Sequence, residues 1–131
     1  MNSIREQIRS MLHVEPRDGG FRAVLSVDPK LKILPDHFRD HPILPGICMV
    51  QAVLLAGAAR QGVADLHVRK LKNAKMLQPV RPGQRVVIDA QMTPTDGGDF
   101  LIKAKFFAED QRCAEFSLVA GPIAAGQGAL P

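Results

Sequence analysis

The sequence predicts an α+β domain in which a curved antiparallel sheet wraps around one long central helix. From Pro45 to about Arg60 nearly every face of the expected helix is apolar, which is typical of a buried helix. From residue 66 to residue 118 apolar residues recur at alternate positions, which predicts a run of strands. At 131 residues the chain is expected to form a single domain, residues 1–131, with its own hydrophobic core.

The N-terminal part of the chain is expected to hold one helix, one turn and one strand. Within about residues 1–14, apolar residues recur at helical spacing behind a capping Ser3: Ile4, Ile8, Met11 and Leu12. The Asp18-Gly19-Gly20 sequence predicts a turn, and the alternating pattern from Phe21 to Val27 predicts the strand that follows it.

The central helix is expected to begin at Pro45-Gly46 and to end near Gly62. Period-two patterns then predict strands at about residues 66–76, 85–92, 100–107 and 114–118. Asp96-Gly97-Gly98 indicates a hairpin between two of them. Residues 121–131 are rich in Gly, Ala and Pro, and we expect a flexible tail there.

Composition and charge argue against several functional classes. Trp and Tyr are absent and the net charge is only +4, so we expect no nucleic acid partner. The first residues lack a secretory core and no apolar run is clean enough for a membrane span, so we expect a cytoplasmic protein. Cys48 and Cys113 are too few for a disulfide framework and have no metal-binding spacing, so we expect free thiols, no metal and no cofactor.

The loop before the central helix carries candidate chemistry. His37 can exchange a proton near neutral pH, which makes it a candidate base; the alternative is a loop histidine that only forms hydrogen bonds. His41 follows, but Pro42 disfavours the helical geometry that a two-histidine zinc site would need.

Two positions of the helix itself are further candidates. At Gly46 the helix N-terminus offers unpaired N–H groups that could polarise a thioester carbonyl, although an ordinary helix start would have the same sequence. Gln51 is the only strongly polar side chain between Gly46 and Arg60. It either satisfies backbone groups in the core or faces a polar ligand.

Cationic residues concentrate in the strand half of the chain. They form either a solvated face or a docking surface for an acidic partner. These residues are Arg69, Lys70, Lys72, Lys75, Arg81, Arg85, Lys103 and Lys105.

The segment His37-Phe38-x-x-His41-Pro42-x-x-Pro45-Gly46 resembles the active-site motif of the 3-hydroxyacyl-(acyl-carrier-protein) dehydratases, which have the hot-dog fold. The segment from Lys75 to Gly83 is similar to their Lys/Arg-Phe-x-x-Pro-Val-x-Pro-Gly strand and turn. Cys113 to Phe116 resembles their last strand. The resemblance covers about residues 21–120, and the N-terminal run that is common in the family is not visible here.

The resemblance implies a dimer or higher homo-oligomer with sites at the subunit interface. It implies a substrate carried as an acyl carrier protein or coenzyme A thioester. By position, His37 would remove the α-proton and the Gly46 N–H would bind the thioester carbonyl. Phe38, Pro45 and Ile47 would line the substrate site.

Gln51 is the main departure from the family, which has a glutamate or an aspartate there to handle the leaving hydroxyl as water. An amide keeps the shape of Glu but cannot transfer a proton as a carboxyl does, and a lost general acid typically costs ~10²–10⁴ in rate. The resemblance therefore implies a dehydratase-like enzyme of fatty acid or related acyl-chain biosynthesis, with weakened or altered activity. The alternatives are a non-catalytic subunit that binds an acyl thioester, a carrier protein or a catalytic partner, and a thioesterase of the same fold.

Overall fold

The computed structural model describes residues 4–28, 44 and 46–122. Within them the strands form a six-stranded antiparallel sheet in the order β1-β2-β4-β5-β6-β3. The elements, in chain order, are helix α1 (Ile4–Met11), strands β1 (Leu12–Arg17) and β2 (Gly20–Ser26), helix α2 (Gly46–Gln61), and strands β3 (His67–Met76), β4 (Arg85–Pro94), β5 (Phe100–Ala108) and β6 (Gln111–Gly121).

The apolar inner face of the sheet packs around helix α2. Helix α2 buries every residue from Ala52 to Ala58, as expected for a helix that is apolar on nearly all sides. The strands bury alternate residues, so that Ile88 and Phe106 point into the core while Lys103 and Lys105 stay exposed. The predicted helix and alternating strands are therefore present, in an α+β arrangement.

Strand β1 was not expected from the sequence. Helix α1 ends at Met11, and Leu12 already pairs with Leu25 of strand β2. The segment continues the helical spacing as far as Leu12, but pairing with β2 provides backbone hydrogen bonds that a longer helix would forgo. Pro16 is tolerated because β1 is an edge strand.

The C-terminal end of α2 is tied to the β1–β2 turn by one side chain. Arg60 Nε donates a hydrogen bond to the Gly20 carbonyl at 2.8 Å, and another guanidinium nitrogen donates to the Arg17 carbonyl at 3.2 Å. Gly62 has a φ of +69°, and the Val63 N–H donates to the Ala58 carbonyl at 3.1 Å. The helix therefore ends at the predicted glycine.

The outer face of the sheet carries a row of alternating charge that crosses all six strands. Opposite charges directly across neighbouring strands favour this strand register, although each exposed pair contributes little to stability. The row is Glu15, Arg22, Asp89, Lys105, Glu115 and Lys75, and its two ends form ion pairs, Arg22 with Glu15 at 3.8 Å and Lys75 with Glu115 at 3.7 Å.

Candidate active site

The predicted site residues divide between the described and the undescribed parts of the chain. Gly46, Ile47 and Gln51 are described and all lie in the first turns of α2. His37, Phe38 and Pro45 lie outside the described residues, as do His41 and the rest of the loop motif before Leu44. The geometry below therefore concerns the helix side of the site.

Helix α2 begins at Gly46, immediately after an anchored segment. The Leu44 N–H donates to the Val80 carbonyl at 2.7 Å, which ties the entry of the helix to the β3–β4 connection. The first turn contains no acidic side chain that would neutralise the helix dipole. The N–H groups and the positive end of the dipole are thus suited to an external carbonyl or other acceptor.

Met76 lies directly against Gly46. A Cβ atom built on Gly46 would stand 2.6 Å from the Met76 methyl carbon, so the thioether fills the space that any other residue would use. Met76 is the last residue of β3 and pairs with Ala114. The next two N–H groups both donate to the Cys113 carbonyl, at 2.9 and 3.1 Å, which fixes the backbone beside Met76.

Gln51 lies one helical turn after Ile47, on the same face of α2. Ile47 is 58% exposed and Gln51 is half-buried, whereas the residues that follow are enclosed in the core. No hydrogen bond joins the Gln51 side chain to another residue of the described ranges. The partial exposure favours a ligand-facing amide over one that satisfies core backbone groups.

Comparisons with known proteins identify the family. The sequence matches the ApeI-like family, whose description is ApeI dehydratase, over residues 13–117. This chain belongs to that family. It is 30% identical to the 3-hydroxyacyl-(acyl-carrier-protein) dehydratase FabZ of Campylobacter concisus over 100 residues, which cover 67% of this chain and 68% of that protein. It is 26% identical to FabZ of a Sulfurovum species over 113 residues, 77% of this chain and 74% of that protein.

Solved structures share the architecture of this ApeI-like chain. The dehydratase heterocomplex ApeI:P from Xenorhabdus doucetiae superposes with a TM-score of 0.67 at 19% identity, covering 84% of this chain and 95% of the other. The E. coli PaaI protein from the phenylacetic acid degradation operon gives 0.65 at 11% identity, covering 87% and 86%. A mutant thioesterase PA1618 from Pseudomonas aeruginosa gives 0.66 at 17% identity, covering 91% and 84%. The hot-dog fold is thereby confirmed.

The thiols of this ApeI-like chain are poor candidates for nucleophiles. Burial raises the pKa of the Cys48 thiol above its ordinary value. Burial also raises the pKa of the Cys113 thiol, against the smaller opposing effect of a backbone hydrogen bond. Both side chains are therefore neutral thiols packed in the core rather than reactive thiolates.

The described residues bring together no group of three or more His, Cys, Asp or Glu side chains that could hold a metal ion. Within the same part of the chain, no helix is long and apolar enough to cross a membrane. His37 and His41 lie outside the described residues.

Several of the predicted cations surround a groove on the outer face of the sheet. The groove has a volume of about 370 Å³, and its charged lining consists of Lys75, Lys103, Lys105 and Glu115. Glu115 is already engaged by Lys75 and by Arg112, at 3.7 and 3.1 Å. The groove is therefore cationic overall, and it begins one residue from Met76.

Sequence reasoning missed Met76 as a site residue. The segment from Lys75 to Gly83 carried part of the family resemblance, but it did not show that the Met76 methyl group contacts Gly46. The available signal was the position itself, where the family has a phenylalanine at the end of a strand. The structure adds the contact between this strand end and the helix N-terminus.

Proposed function

We propose that this protein is a hydro-lyase that interconverts 3-hydroxyacyl and 2-enoyl thioesters in fatty acid or related acyl-chain biosynthesis. The carrier of the thioester is an acyl carrier protein or coenzyme A. The observation that carries this proposal is the family match over residues 13–117, which includes a helix N-terminus at Gly46 beside exposed apolar side chains.

The chemistry assigns a separate task to each residue. His37 takes the α-proton, and the electron pair of that C–H bond forms the C=C bond as the C–O bond at carbon 3 breaks. The Gly46 N–H stabilises the negative charge that develops on the thioester oxygen. The hydroxyl must gain a proton to leave as water, and this proton comes from solvent or from the His37 imidazolium that holds the α-proton. The Gln51 amide can position this group but cannot protonate it. We therefore expect slow turnover. The role of His37 rests on the sequence motif.

A second subunit is supported by the inner face of strand β3. Val68, Leu71 and Met76 pair across the sheet with buried residues of β6, which places them on the core-facing side. They nevertheless remain 45%, 47% and 56% exposed, although the Met76 methyl group contacts Gly46 at the start of α2. An exposed apolar edge strand of this kind favours association with another chain. We propose that a second subunit covers this surface in a homo-oligomer.

A second candidate function is that of a partner subunit in a mixed assembly. The specific observation in its favour is the amide at Gln51, where the dehydratase resemblance implies an acid. The related ApeI:P structure is a dehydratase heterocomplex. A partner chain that supplies a carboxylate could complete a site built on this chain's Gly46.

The cationic groove on the outer face supports an acidic carrier protein as the source of substrate. Lys103 and Lys105 take part in no ion pair with the described residues, so both are available to an acidic partner. Replacing both by glutamate should raise KM for a carrier-protein substrate and leave KM for the coenzyme A form unchanged. An equal rise for both substrates would place carrier docking elsewhere.

The test of the proposed function is the hydration of a crotonyl thioester, followed as loss of the enoyl-thioester absorbance. Wild type should turn over slowly, and His37→Ala should abolish turnover with little change in melting temperature. His13→Ala is the matched control, since the His13 side chain is 75% exposed on an edge strand. Turnover that survives His37→Ala would refute the assignment of the base.

The same reactions distinguish the thioesterase alternative. A thioesterase releases a free thiol from the substrate, whereas hydration keeps the thioester bond intact. Thiol release without loss of the enoyl group would favour the thioesterase. Neither reaction from the isolated chain, with hydration restored by a carboxylate-bearing partner, would favour the partner subunit.

A further inference from the structure

We propose that this protein has a further activity at the same site, the elimination of a carboxylate from 3-acyloxyacyl thioesters, and that the Gln51 amide selects for this leaving group. The products are a 2-enoyl thioester and a free carboxylate. The inference rests on the proposed function, because it uses the same removal of the α-proton. It goes beyond that function in the leaving group, since the departing oxygen belongs to an ester rather than to a hydroxyl.

The two elements that meet at Gly46 provide no carboxyl group. Helix α2, from Gly46 to Gln61, and strand β3, from His67 to Met76, contain neither Asp nor Glu. Cys48 lies in the first turn of α2, but it is fully buried and burial raises its pKa, so it keeps its proton at neutral pH. A hydroxyl group that leaves from a substrate at Gly46 therefore meets no carboxylic acid on these two elements.

Several basic side chains of the same two elements are directed away from Gly46. His67 is the first residue of β3, at the opposite end of the strand from Met76. Lys75 lines the groove on the outer face of the sheet, and Arg60 donates to backbone carbonyls at the C-terminal end of α2. These three side chains therefore do not act as proton donors at Gly46.

Gln51 is the polar side chain that α2 presents beside this site. It lies one turn after Ile47 on the same face of the helix and is half-buried. Its amide carries two N–H donors, and no hydrogen bond joins it to another residue of the described ranges. An amide can donate these hydrogen bonds to a departing anion, but it cannot give the anion a proton. Gln51 therefore favours leaving groups that depart as stable anions.

The two leaving groups differ in the acidity of their conjugate acids. Carboxylic acids have a pKa of about 4, so a carboxylate leaves at neutral pH without gaining a proton. Water has a pKa of about 15.7, so a departing hydroxyl must be protonated as its bond breaks. The loss of a general acid costs the hydroxyl about 10²–10⁴ in rate and costs the carboxylate nothing.

The elimination needs no further reactant. The base of the proposed function takes the proton from carbon 2, and the electron pair of that C–H bond forms the C=C bond between carbons 2 and 3. The bond from carbon 3 to the ester oxygen breaks, and its electron pair leaves with the carboxylate. The Gly46 N–H stabilises the charge on the thioester oxygen, and the Gln51 amide donates hydrogen bonds to the departing carboxylate.

The first test compares 3-acetoxybutyryl-coenzyme A with 3-hydroxybutyryl-coenzyme A, both of which give the crotonyl thioester. The measured quantity is the ratio of kcat/KM for the acetoxy substrate to kcat/KM for the hydroxy substrate. We expect this ratio to be at least ~10²-fold higher in wild type than in Gln51→Glu, because the new carboxyl assists only the hydroxyl. Gln61→Glu, at the last residue of α2, is the matched control and should keep the wild-type ratio. Equal ratios in wild type and Gln51→Glu would overturn the proposal.

A second variant tests the amide itself. Gln51→Met has a side chain of similar length but no N–H donor, so it should slow the elimination of acetate at least ~10-fold, the contribution of a hydrogen bond to a charged group. Its melting temperature reports whether the fold is retained. Elimination of acetate at the wild-type rate by folded Gln51→Met would show that the amide does not select the leaving group.

The products separate this proposal from the proposed function. Enoyl absorbance must rise together with free acetate, and acetate released without the enoyl group would be ester hydrolysis, which overturns the proposal. Elimination of acetate without hydration of the crotonyl thioester would support this inference and refute the hydro-lyase. Hydration without elimination of acetate would do the reverse, and no turnover of either substrate would overturn both.

Discussion

The two ends of helix α2 are held by different kinds of contact. At the C-terminal end, Arg60 donates to two backbone carbonyls of the β1–β2 turn and Gly62 closes the helix with a φ of +69°. At the N-terminal end, the described residue that meets Gly46 is Met76, whose methyl group is the tip of a flexible side chain. The C-terminal end is thus held by hydrogen bonds from the Arg60 side chain to backbone carbonyls. The entry to the N-terminal end is held by the Leu44 N–H on the Val80 carbonyl, and Gly46 itself meets a flexible side chain.

The two ends of α2 therefore have different roles: the C-terminal end stabilises the fold, and the N-terminal end can bind a ligand. The C-terminal end satisfies its carbonyl groups and anchors the helix to the sheet. The N-terminal end presents N–H donors beside exposed apolar side chains, which is favourable for a ligand. The candidate site thus lies at the end of the helix whose first N–H groups have no partner within the helix.

The largest expected effect on stability comes from substituting Gly20, beside the C-terminal end of α2. Gly46, at the N-terminal end, is the position for comparison. A Cβ atom on Gly20 would overlap the carbonyl oxygen of Ala90 in the neighbouring strand, and backbone cannot move aside cheaply. We expect Gly20→Ala to lower the free energy of unfolding by about 3 kcal/mol or more. Urea denaturation measures this change.

The matched variant is Gly46→Ala, whose new methyl group meets, among the described residues, only the movable Met76 side chain. It should change the free energy of unfolding by less than about 1 kcal/mol, while it disturbs the site. Equal destabilisation by the two variants would mean that the N-terminal end is as rigidly packed as the C-terminal end.

A smaller effect is expected from Arg60→Ala. The substitution leaves the carbonyls of Gly20 and Arg17 without their donor and should cost about 1–3 kcal/mol in unfolding free energy. Arg9→Ala, an exposed position on α1, is the control and should stay within about 0.5 kcal/mol. If thermal denaturation finds the two alike, the Arg60 contacts do not anchor the helix.

The smallest effect concerns alkaline pH and the thiol in the first turn of α2. Burial raises the pKa of Cys48 in the folded protein above its ordinary value of 9.0, so the unfolded chain loses the thiol proton first. This stabilisation is complete below pH 9.0 and is lost as pH rises through the raised pKa of the folded state. Cys113 acts in the same direction.

Urea denaturation at about pH 8 and about pH 10.5 measures this loss of stability. A variant with alanine at both Cys48 and Cys113 should lose less stability than wild type between the two pH values. Tyr is absent, so no phenol titrates in this interval to mask the difference. An identical loss in wild type and variant would show that neither thiol is protected by burial.

The sequence predicts those helices and strands whose pattern of apolar residues is regular along the whole element. Alternation from Val86 to Met92 is enough to identify the buried face of β4, and uniform apolarity is enough to identify α2 as a buried helix. Strand β1 was missed because the helical spacing of α1 reaches Leu12 and only the pairing with β2 ends it. The sequence pattern within residues 4–17 does not show that this segment pairs with β2.

The site residues that belong to a sequence motif could be predicted. The contact between elements that are distant in the sequence could not. Gly46 and Gln51 could be identified because a resemblance assigns their positions. The contact between Met76 and Gly46 could not, because it depends on a register shift in β3 between Lys72 and Lys75. Such a bulge changes which side chains face inward, so the sequence alone does not give the face of Met76.

The central claim is that α2 supports dehydratase chemistry at its N-terminal end, with an amide in the place of an acid. The most direct measurement compares crotonyl-thioester hydration by wild type, Gln51→Glu and Gln61→Glu, which alters the last residue of the same helix. We predict that Gln51→Glu raises turnover by ~10² or more, because a general acid contributes this much, and that Gln61→Glu changes nothing. No gain from Gln51→Glu, or an equal gain from both, would contradict the account.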